Sequence, residues 1–167
     1  MEESIRKCFG LAGQDVRKYS PLTLAYIGDG VYELVIRTVV VIRGNQPPKQ
    51  LHRTSSQLVK AQTQSAMMEV LKPILTEEEL SVYKRGRNAN PSSMAKHASM
   101  QEYRRATGFE ALMGYLYLAG REERVLELVK AGLEGISYYD VGVKRFFDPF
   151  DPRLLRALHS RNLQKHS

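Results

Sequence analysis

The longest apolar segment of the chain begins at a serine–proline pair and ends at a glycine. Serine caps a helix N-terminus well and proline fits its first turn, so Ser20 and Pro21 predict a helix start. The segment that follows is hydrophobic on nearly every side and runs to a stop at Gly44-Asn45. A helix with so little polar surface is normally enclosed by others, so we expect one long, central and buried helix here.

Two shorter segments follow with the same helical period. Pro47-Pro48 opens a helix that we expect to continue without interruption to Lys72, just before Pro73. Thr76 and the three glutamates behind it form a capping box, which predicts a short helix that ends near Gly86.

The second half of the chain predicts two more helices and no convincing strand. One starts at about Ser99 and stops at Gly120, and a shorter amphipathic helix follows with Gly132 near its end. Residues between 86 and 99 have turn-forming side chains and no apolar period, so they predict a loop. Only the segment ISYYDVGV alternates with period two, and weakly. The pattern therefore indicates an all-α fold.

The chain has 167 residues, which suits one domain with short extensions. We expect an N-terminal extension over residues 1–19, a main domain over 20–134 and a basic C-terminal extension over 135–167, where the sequence becomes aromatic and irregular. The single cysteine, Cys8, excludes a disulfide framework and fits a protein of the reducing cytoplasm. The longest apolar stretch contains charges and is too short to cross a bilayer, so we expect no membrane segment.

The charge of the chain favours a polyanionic partner. The net charge is +7 and the isoelectric point is about 9.6. The excess lies in two segments, with a net charge of +5 over residues 81–105 and of +4 over residues 144–167. Two basic segments on a nearly neutral body are typical of a surface that contacts nucleic-acid phosphates, although a solvated basic face has the same pattern.

Two carboxylates lie inside apolar helical runs. Asp29 is flanked by Gly28 and Gly30, and Glu110 is followed by Gly114. Burying a carboxylate is unfavourable unless something compensates its charge, and glycine weakens a helix interior unless a close approach requires it. If these two helices cross, Asp29 and Glu110 meet, and a pair of acidic oxygens suits Mg²⁺, which keeps most of its waters. Such an ion activates water for attack on a phosphodiester.

A structural role for these acidic residues remains open at this point. Asp29 would also be stable in a buried ion pair with Arg37 or a neighbouring arginine. Glu33 lies four residues before Arg37, the favourable spacing for an ion pair along a helix, so we assign Glu33 a structural role.

Two motifs in the chain resemble the ribonuclease III family. LAYIGDGVYEL resembles the signature of the first catalytic helix, and RRATGFEALMGYLYLAG resembles the second acidic motif. The two motifs stand in the family's order and at its separation, and the similarity extends from about Ser20 to Gly132. This resemblance implies the helical fold of the ribonuclease III endonuclease domain, with residues 20–134 as the catalytic domain.

The chain departs from the full-length family at two of its four acidic positions. Asp29 matches the aspartate of the first motif and Glu110 the glutamate of the second, whereas Ala25 and Thr107 stand where the other two acidic residues would be. From the length of the chain we also expect no C-terminal double-stranded-RNA-binding domain. Both differences point to the short bacterial branch of the family, the Mini-ribonucleases III.

The resemblance implies a function, a cofactor and partners. Members of this branch are homodimers that cut double-stranded RNA and mature the precursor of large-subunit ribosomal RNA. The expected reaction is a Mg²⁺-dependent hydrolysis, with Mn²⁺ as a substitute, that leaves a 5′-phosphate and a 3′-hydroxyl. Asp29 and Glu110 would be both the catalytic residues and the metal ligands, with Gly28 and Thr107 in support. A ribosomal protein is a further candidate partner.

We expect the RNA to be held by phosphate and 2′-hydroxyl contacts to a basic loop and to the start of the second catalytic helix. The candidate RNA-binding residues are Arg85, Arg87, Asn88, Lys96, His97, Arg104 and Arg105. Ion pairs of these arginines with Glu77 to Glu79 or with Glu122 are the structural alternative.

The apolar first helix has more surface than a small subunit easily covers, so we expect Val31, Tyr32 and Val35 to lie at or near the dimer interface. Two other functions remain open. The chain would also suit a catalytically silent RNA-binding relative that assists ribosome assembly. A helix-turn-helix DNA-binding protein would explain the charge but not the two carboxylates.

Overall fold

The structure is a computed structural model and describes residues 1–89 and 99–137. Several sequence-based predictions lie outside these residues: the RNA-binding roles of Lys96 and His97, most of the basic C-terminal extension, and all but the first two residues of the alternating segment within it.

The described chain is all-α, as the sequence predicts, and contains no strand within residues 1–89 and 99–137. Two short 3₁₀ turns, Val16–Lys18 and Lys72–Ile74, join some of its helices. The helices are α1 (Glu2–Cys8), α2 (Pro21–Arg43), α3 (Pro48–Val59), α4 (Ala61–Leu71), α5 (Glu77–Asn88), α6 (Met100–Leu118) and α7 (Glu122–Ser137). Among these helices, none combines the length and the apolar character needed to cross a membrane.

The predicted helix starts are confirmed by side-chain caps. The Ser20 hydroxyl accepts a hydrogen bond from the backbone N–H of Thr23 at the start of α2. Reciprocal capping boxes open α5, between Thr76 and Glu79, and α6 at Ser99. These caps use only residues within one turn, so the local sequence is enough to place them.

The helix at the centre of the fold is α6, whereas the sequence predicted α2. Nearly every residue of α6 from Ala106 to Tyr117 is buried, and it packs against α2, α4, α5 and α7. Helix α2 buries one face against α6 and exposes large apolar side chains on another. Those exposed side chains are Leu22, Tyr26, Leu34, Val41 and Ile42.

The helix predicted between Pro48 and Lys72 is two helices instead of one. The chain breaks at Lys60, whose backbone is extended, with φ −66° and ψ 151°. Side chains of α4 then satisfy the last carbonyls of α3: the Thr63 hydroxyl donates to the Gln57 carbonyl at 2.7 Å, and the Gln64 amide donates to the Val59 carbonyl at 3.2 Å. These bonds compensate the helix end and hold the break in place.

Helix α7 continues past Gly132, where the sequence placed its end, to Ser137. The two glycines in its last turns lie directly on α4. A Cβ on Gly132 would lie 2.7 Å from Met67 Cε, and a Cβ on Gly135 would lie 2.3 Å from Val70 Cγ1. Glycine here permits a close crossing of two helices instead of ending one.

Candidate active site

Helices α2 and α6 cross with their backbones in contact. A Cβ on Gly28 would lie 1.7 Å from the Glu110 carbonyl oxygen, and a Cβ on Gly114 would lie 2.0 Å from the Leu24 carbonyl oxygen. No side chain fits in either place, so both glycines are required by this crossing. Because Asp29 follows Gly28, the crossing places Asp29 next to Glu110.

The negative charge of Asp29 acts on Glu110. Burial of Glu110 raises the pKa of its carboxyl group to about 8, and the negative charge of Asp29 adds to this shift. A hydrogen bond from the side chain of Gln64 opposes the shift. Metal-free Glu110 therefore resists ionisation at neutral pH, and a bound cation would favour the carboxylate form.

Asp29 differs from Glu110 in its access to solvent. Asp29 is exposed, although partial burial and the nearby Glu33 raise the pKa of its carboxyl group. Arg37, the sequence-based candidate for an ion pair with Asp29, instead pairs with Glu33 at 2.8 Å, as predicted for Glu33. Within residues 1–89 and 99–137, neither Asp29 nor Glu110 forms an ion pair with a basic side chain. The described residues therefore place no basic partner beside this acidic pair.

The donors at this crossing fit a hydrated Mg²⁺ ion. The described residues contain no group of three or more His, Cys, Asp or Glu side chains that could hold a metal. Mg²⁺ needs only one or two carboxylates, because water fills its other positions. Beside Glu110, the buried amide oxygen of Gln64 has no hydrogen-bond partner among the described residues. Two neighbouring carboxyl groups without a basic partner among the described residues, with an orphaned oxygen beside Glu110, suit such an ion.

Thr107 is buried one turn before Glu110. Its hydroxyl donates to the Tyr103 carbonyl within α6 at 3.1 Å. The proton of this hydroxyl is thus already used, and only its lone pairs remain for the supporting role predicted from the sequence.

Some candidate RNA-binding residues line a cleft at the end of α5. Exposed Arg85 and Asn88 lie there with Lys84, and Pro21 of α2 forms part of the wall. Lys84 was not singled out from the sequence, although it belongs to the same basic segment.

The remaining described candidates divide by their contacts. Arg104 is exposed and has no ion pair among the described residues. The Arg87 guanidinium lies 5.8 Å from the centre of the Tyr83 ring and donates to Asn88. Arg105 is partly buried and pairs with Glu69 at 2.8 Å. Arg105 is therefore held in a structural ion pair, with a partner that the sequence did not suggest.

Two of the three residues assigned to a dimer interface belong to the core of the subunit. Tyr32 is completely buried: its hydroxyl donates to the Leu58 carbonyl at 2.8 Å, and its ring packs edge-on against Phe109, with 5.0 Å between centroids. Val31 is also buried, and only Val35 keeps exposed surface. Tyr32 therefore has no exposed surface to offer a partner, and the placement of these three residues at or near a dimer interface stays a prediction.

Gln64 is the site residue that the sequence did not reveal. It lies among ordinary polar residues of a helical run, and its position beside Glu110 depends on the break between α3 and α4. No motif marks such a residue, because the break and the packing of α4 on α6 bring it to the site.

Comparison with known proteins gives one consistent result. A family model described as the Ribonuclease III domain matches residues 22–121. A protein of Clostridium tetani named Mini-ribonuclease 3 is 47% identical over 118 residues, which cover 70% of this chain and 78% of that protein. A Mini-ribonuclease 3 of Brevibacillus brevis is 46% identical over 117 residues, covering 70% of this chain and 87% of the relative.

A solved structure shares the fold of this chain. A crystal structure of a protein from Fusobacterium nucleatum superposes with a TM-score of 0.66 and 29% sequence identity. The superposition covers 74% of this chain and 98% of the other.

Proposed function

The chain belongs to the ribonuclease III family, among its Mini-ribonuclease 3 members, and is an endoribonuclease. On this basis we propose that it hydrolyses double-stranded RNA with a Mg²⁺ ion held by Asp29 and Glu110. The observation that carries this proposal is the meeting of these two carboxylates at the α2–α6 crossing without a basic partner among the described residues. Mn²⁺, with its similar preference for oxygen ligands, substitutes for Mg²⁺.

Asp29 and Glu110 have different roles at the site. Exposed Asp29 faces solvent, where a phosphate and water can reach it, and Glu110 supplies the second charge from a mostly buried position. A bound Mg²⁺ would polarise the scissile phosphate and lower the pKa of the attacking water. Water adds to phosphorus and the bond to the 3′-oxygen breaks, which leaves a 5′-phosphate and a 3′-hydroxyl.

The exposed cations hold the duplex by its backbone. Lys84 and Arg85 lie at the cleft on α5, and Arg104 precedes Glu110 on α6. Phosphate contacts of this kind recognise the shape of A-form RNA with little sequence preference. Arg105, already paired with Glu69, contributes to folding instead.

The protein acts as a homodimer with one site per strand. A two-fold axis between subunits matches the local two-fold symmetry of a duplex. The exposed apolar side chains of α2, which include Tyr26 at 83% and Ile42 at 71% exposure, supply the surface that two copies would bury together. The substrate in the cell is the precursor of large-subunit ribosomal RNA, and a ribosomal protein bound to it is a further partner.

The deciding experiment is cleavage of an end-labelled RNA duplex with and without Mg²⁺, by the wild type and by Asp29→Asn. We expect cleavage by the wild type only when Mg²⁺ is present, and none by the variant although it still binds the duplex. Metal-independent cleavage, or full activity of Asp29→Asn, would refute the assigned site. A DNA duplex of the same sequence serves as the control and should remain intact.

A further inference from the structure

Gln64 is a buried polar residue at the junction of three helices. It lies in the first turn of α4 and is 1% exposed. Its side chain contacts the end of α3 through Val59 and contacts α6 through Glu110. Gln64 therefore connects Glu110 on α6 to the backbone at the break between α3 and α4.

The orientation of this amide follows from its partners. The Val59 carbonyl is only an acceptor, so the side-chain nitrogen of Gln64 must face it, at 3.2 Å. Because the oxygen of Gln64 has no partner among the described residues, its hydrogen bond to the Glu110 carboxyl group must also come from the nitrogen. The Gln64 oxygen is then left buried with no hydrogen-bond partner among the described residues. A buried acceptor in this position is an unfavourable feature unless water or an ion uses it.

The arrangement has the form of a support for a metal ligand. Ligating carboxylates are usually held by hydrogen bonds from neighbouring groups, which fix the direction of their oxygens. An amide anchored to a backbone carbonyl is such a support, since the Val59 bond limits rotation of the Gln64 side chain. The same anchored amide contacts Glu110, so it can fix the direction of the carboxyl group.

We propose that Gln64 is a positioning residue for Glu110: its amide, anchored to the end of α3, holds the carboxylate in its metal-binding orientation. This inference rests on the proposed function, because it takes Glu110 as a ligand of the divalent cation. It assigns α4 a part in the site, which the two acidic motifs do not include.

The test measures metal binding in the absence of RNA. Free Mn²⁺ is followed by electron paramagnetic resonance as it is titrated into the full chain. We expect Gln64→Met, which keeps the side-chain length but removes the amide, to bind Mn²⁺ at least about 10-fold more weakly than the wild type. Gln64→Asn, whose shorter amide cannot reach both partners, should be weakened in the same direction and serves where Gln64→Met does not fold.

The neighbouring Thr63→Val is the matched control. Thr63 is buried on the same turn and its hydroxyl also bonds a carbonyl at the end of α3, but this bond goes to Gln57 and not to Glu110. Thermal unfolding without metal should be lowered by both Thr63→Val and Gln64→Met. Only the Gln64 variant should lose Mn²⁺ affinity and require more Mg²⁺ for half-maximal cleavage.

The possible outcomes separate the two proposals. Wild-type Mn²⁺ affinity in Gln64→Met would overturn the positioning role and leave Gln64 as a structural residue. Equal loss of affinity in Thr63→Val would overturn it as well, since any loosening of the break would then suffice. If Glu110→Gln binds Mn²⁺ like the wild type, the carboxylate site itself fails and the role of Gln64 fails with it.

Discussion

Substitution of Gly28 by alanine should force apart the two helices that form the site. The added Cβ would lie 1.7 Å from the Glu110 carbonyl oxygen and 2.6 Å from the backbone nitrogen of Gly114. Ordinary contacts of a Cβ begin at 3.4 Å, so the backbones must separate by about 1.7 Å. Both obstructing atoms are backbone atoms of α6, and no side-chain rotation can relieve the contact.

The expected cost follows from this geometry. Overpacking of a core costs about 1–3 kcal/mol, and a backbone-to-backbone clash belongs at the upper end of that range. Alanine returns up to about 1 kcal/mol through its better helix propensity, which leaves a net loss of about 2 kcal/mol. For a chain of this size, such a loss lowers the unfolding temperature by about 4–8 °C.

Gly30→Ala is the control for this experiment. Gly30 lies two residues along the same helix, and a Cβ there would meet nothing within 4 Å. Helix propensity alone then applies, so Gly30→Ala should raise the free energy of unfolding by up to about 1 kcal/mol. The two variants should therefore change stability in opposite directions.

Thermal unfolding followed by circular dichroism at 222 nm, in EDTA, measures both variants without any contribution from metal binding. Cleavage by Gly28→Ala should fall by more than the loss of folded protein explains, because the substitution also moves Asp29 away from Glu110. The reasoning is refuted if Gly28→Ala unfolds at or above the wild-type temperature, or if it cleaves RNA at the wild-type rate.

Three further predictions concern pH, RNA binding and assembly. The pKa of Glu110 is about 8 in the metal-free fold and near 4.5 in the unfolded chain, so wild-type stability in EDTA should fall as pH rises from about 4.5 to 8. The Glu110→Gln variant should lack this pH dependence and be more stable than the wild type by about 3 kcal/mol at pH 7. Parallel profiles of stability against pH for the two proteins would contradict this prediction. Arg85→Ala should weaken duplex binding and reduce by about 1 the slope of log binding constant against log salt concentration. Arg105→Ala should mainly lower the thermal stability of the protein, because it removes one partner of Glu69. Equal effects of the two substitutions on RNA binding in a filter assay would argue against these separate roles for Arg85 and Arg105. Tyr26→Asp should shift the sedimentation coefficient towards that of the monomer. Tyr32→Phe should lower the free energy of unfolding by about 1 kcal/mol, because a hydrogen bond is lost, and should leave the dimer intact. A dimer that persists in Tyr26→Asp would show that the interface lies on another surface.

The amino-acid sequence alone was sufficient for features that depend on near neighbours. Ser20, Thr76 and Ser99 each begin a helix because their side chains bond backbone groups only three residues ahead. Asp29 and Glu110 were recognised because charged residues in apolar helical runs need compensation, and the two motifs around them identify the family. Each of these inferences uses information that lies within one or two helical turns.

Only the tertiary structure decided which faces of the helices meet. The α2 segment is apolar on nearly every side, so its pattern could not show that Tyr32 faces α6 while Tyr26 faces solvent. The break at Lys60 also has no local signal as strong as a proline or a glycine, because side chains of the next helix hold it from outside the segment. The break directs α4 so that Gln64 lies beside Glu110. A contact of this kind joins distant parts of the chain and depends on how the helices pack. The residue pattern of a single segment does not contain that information.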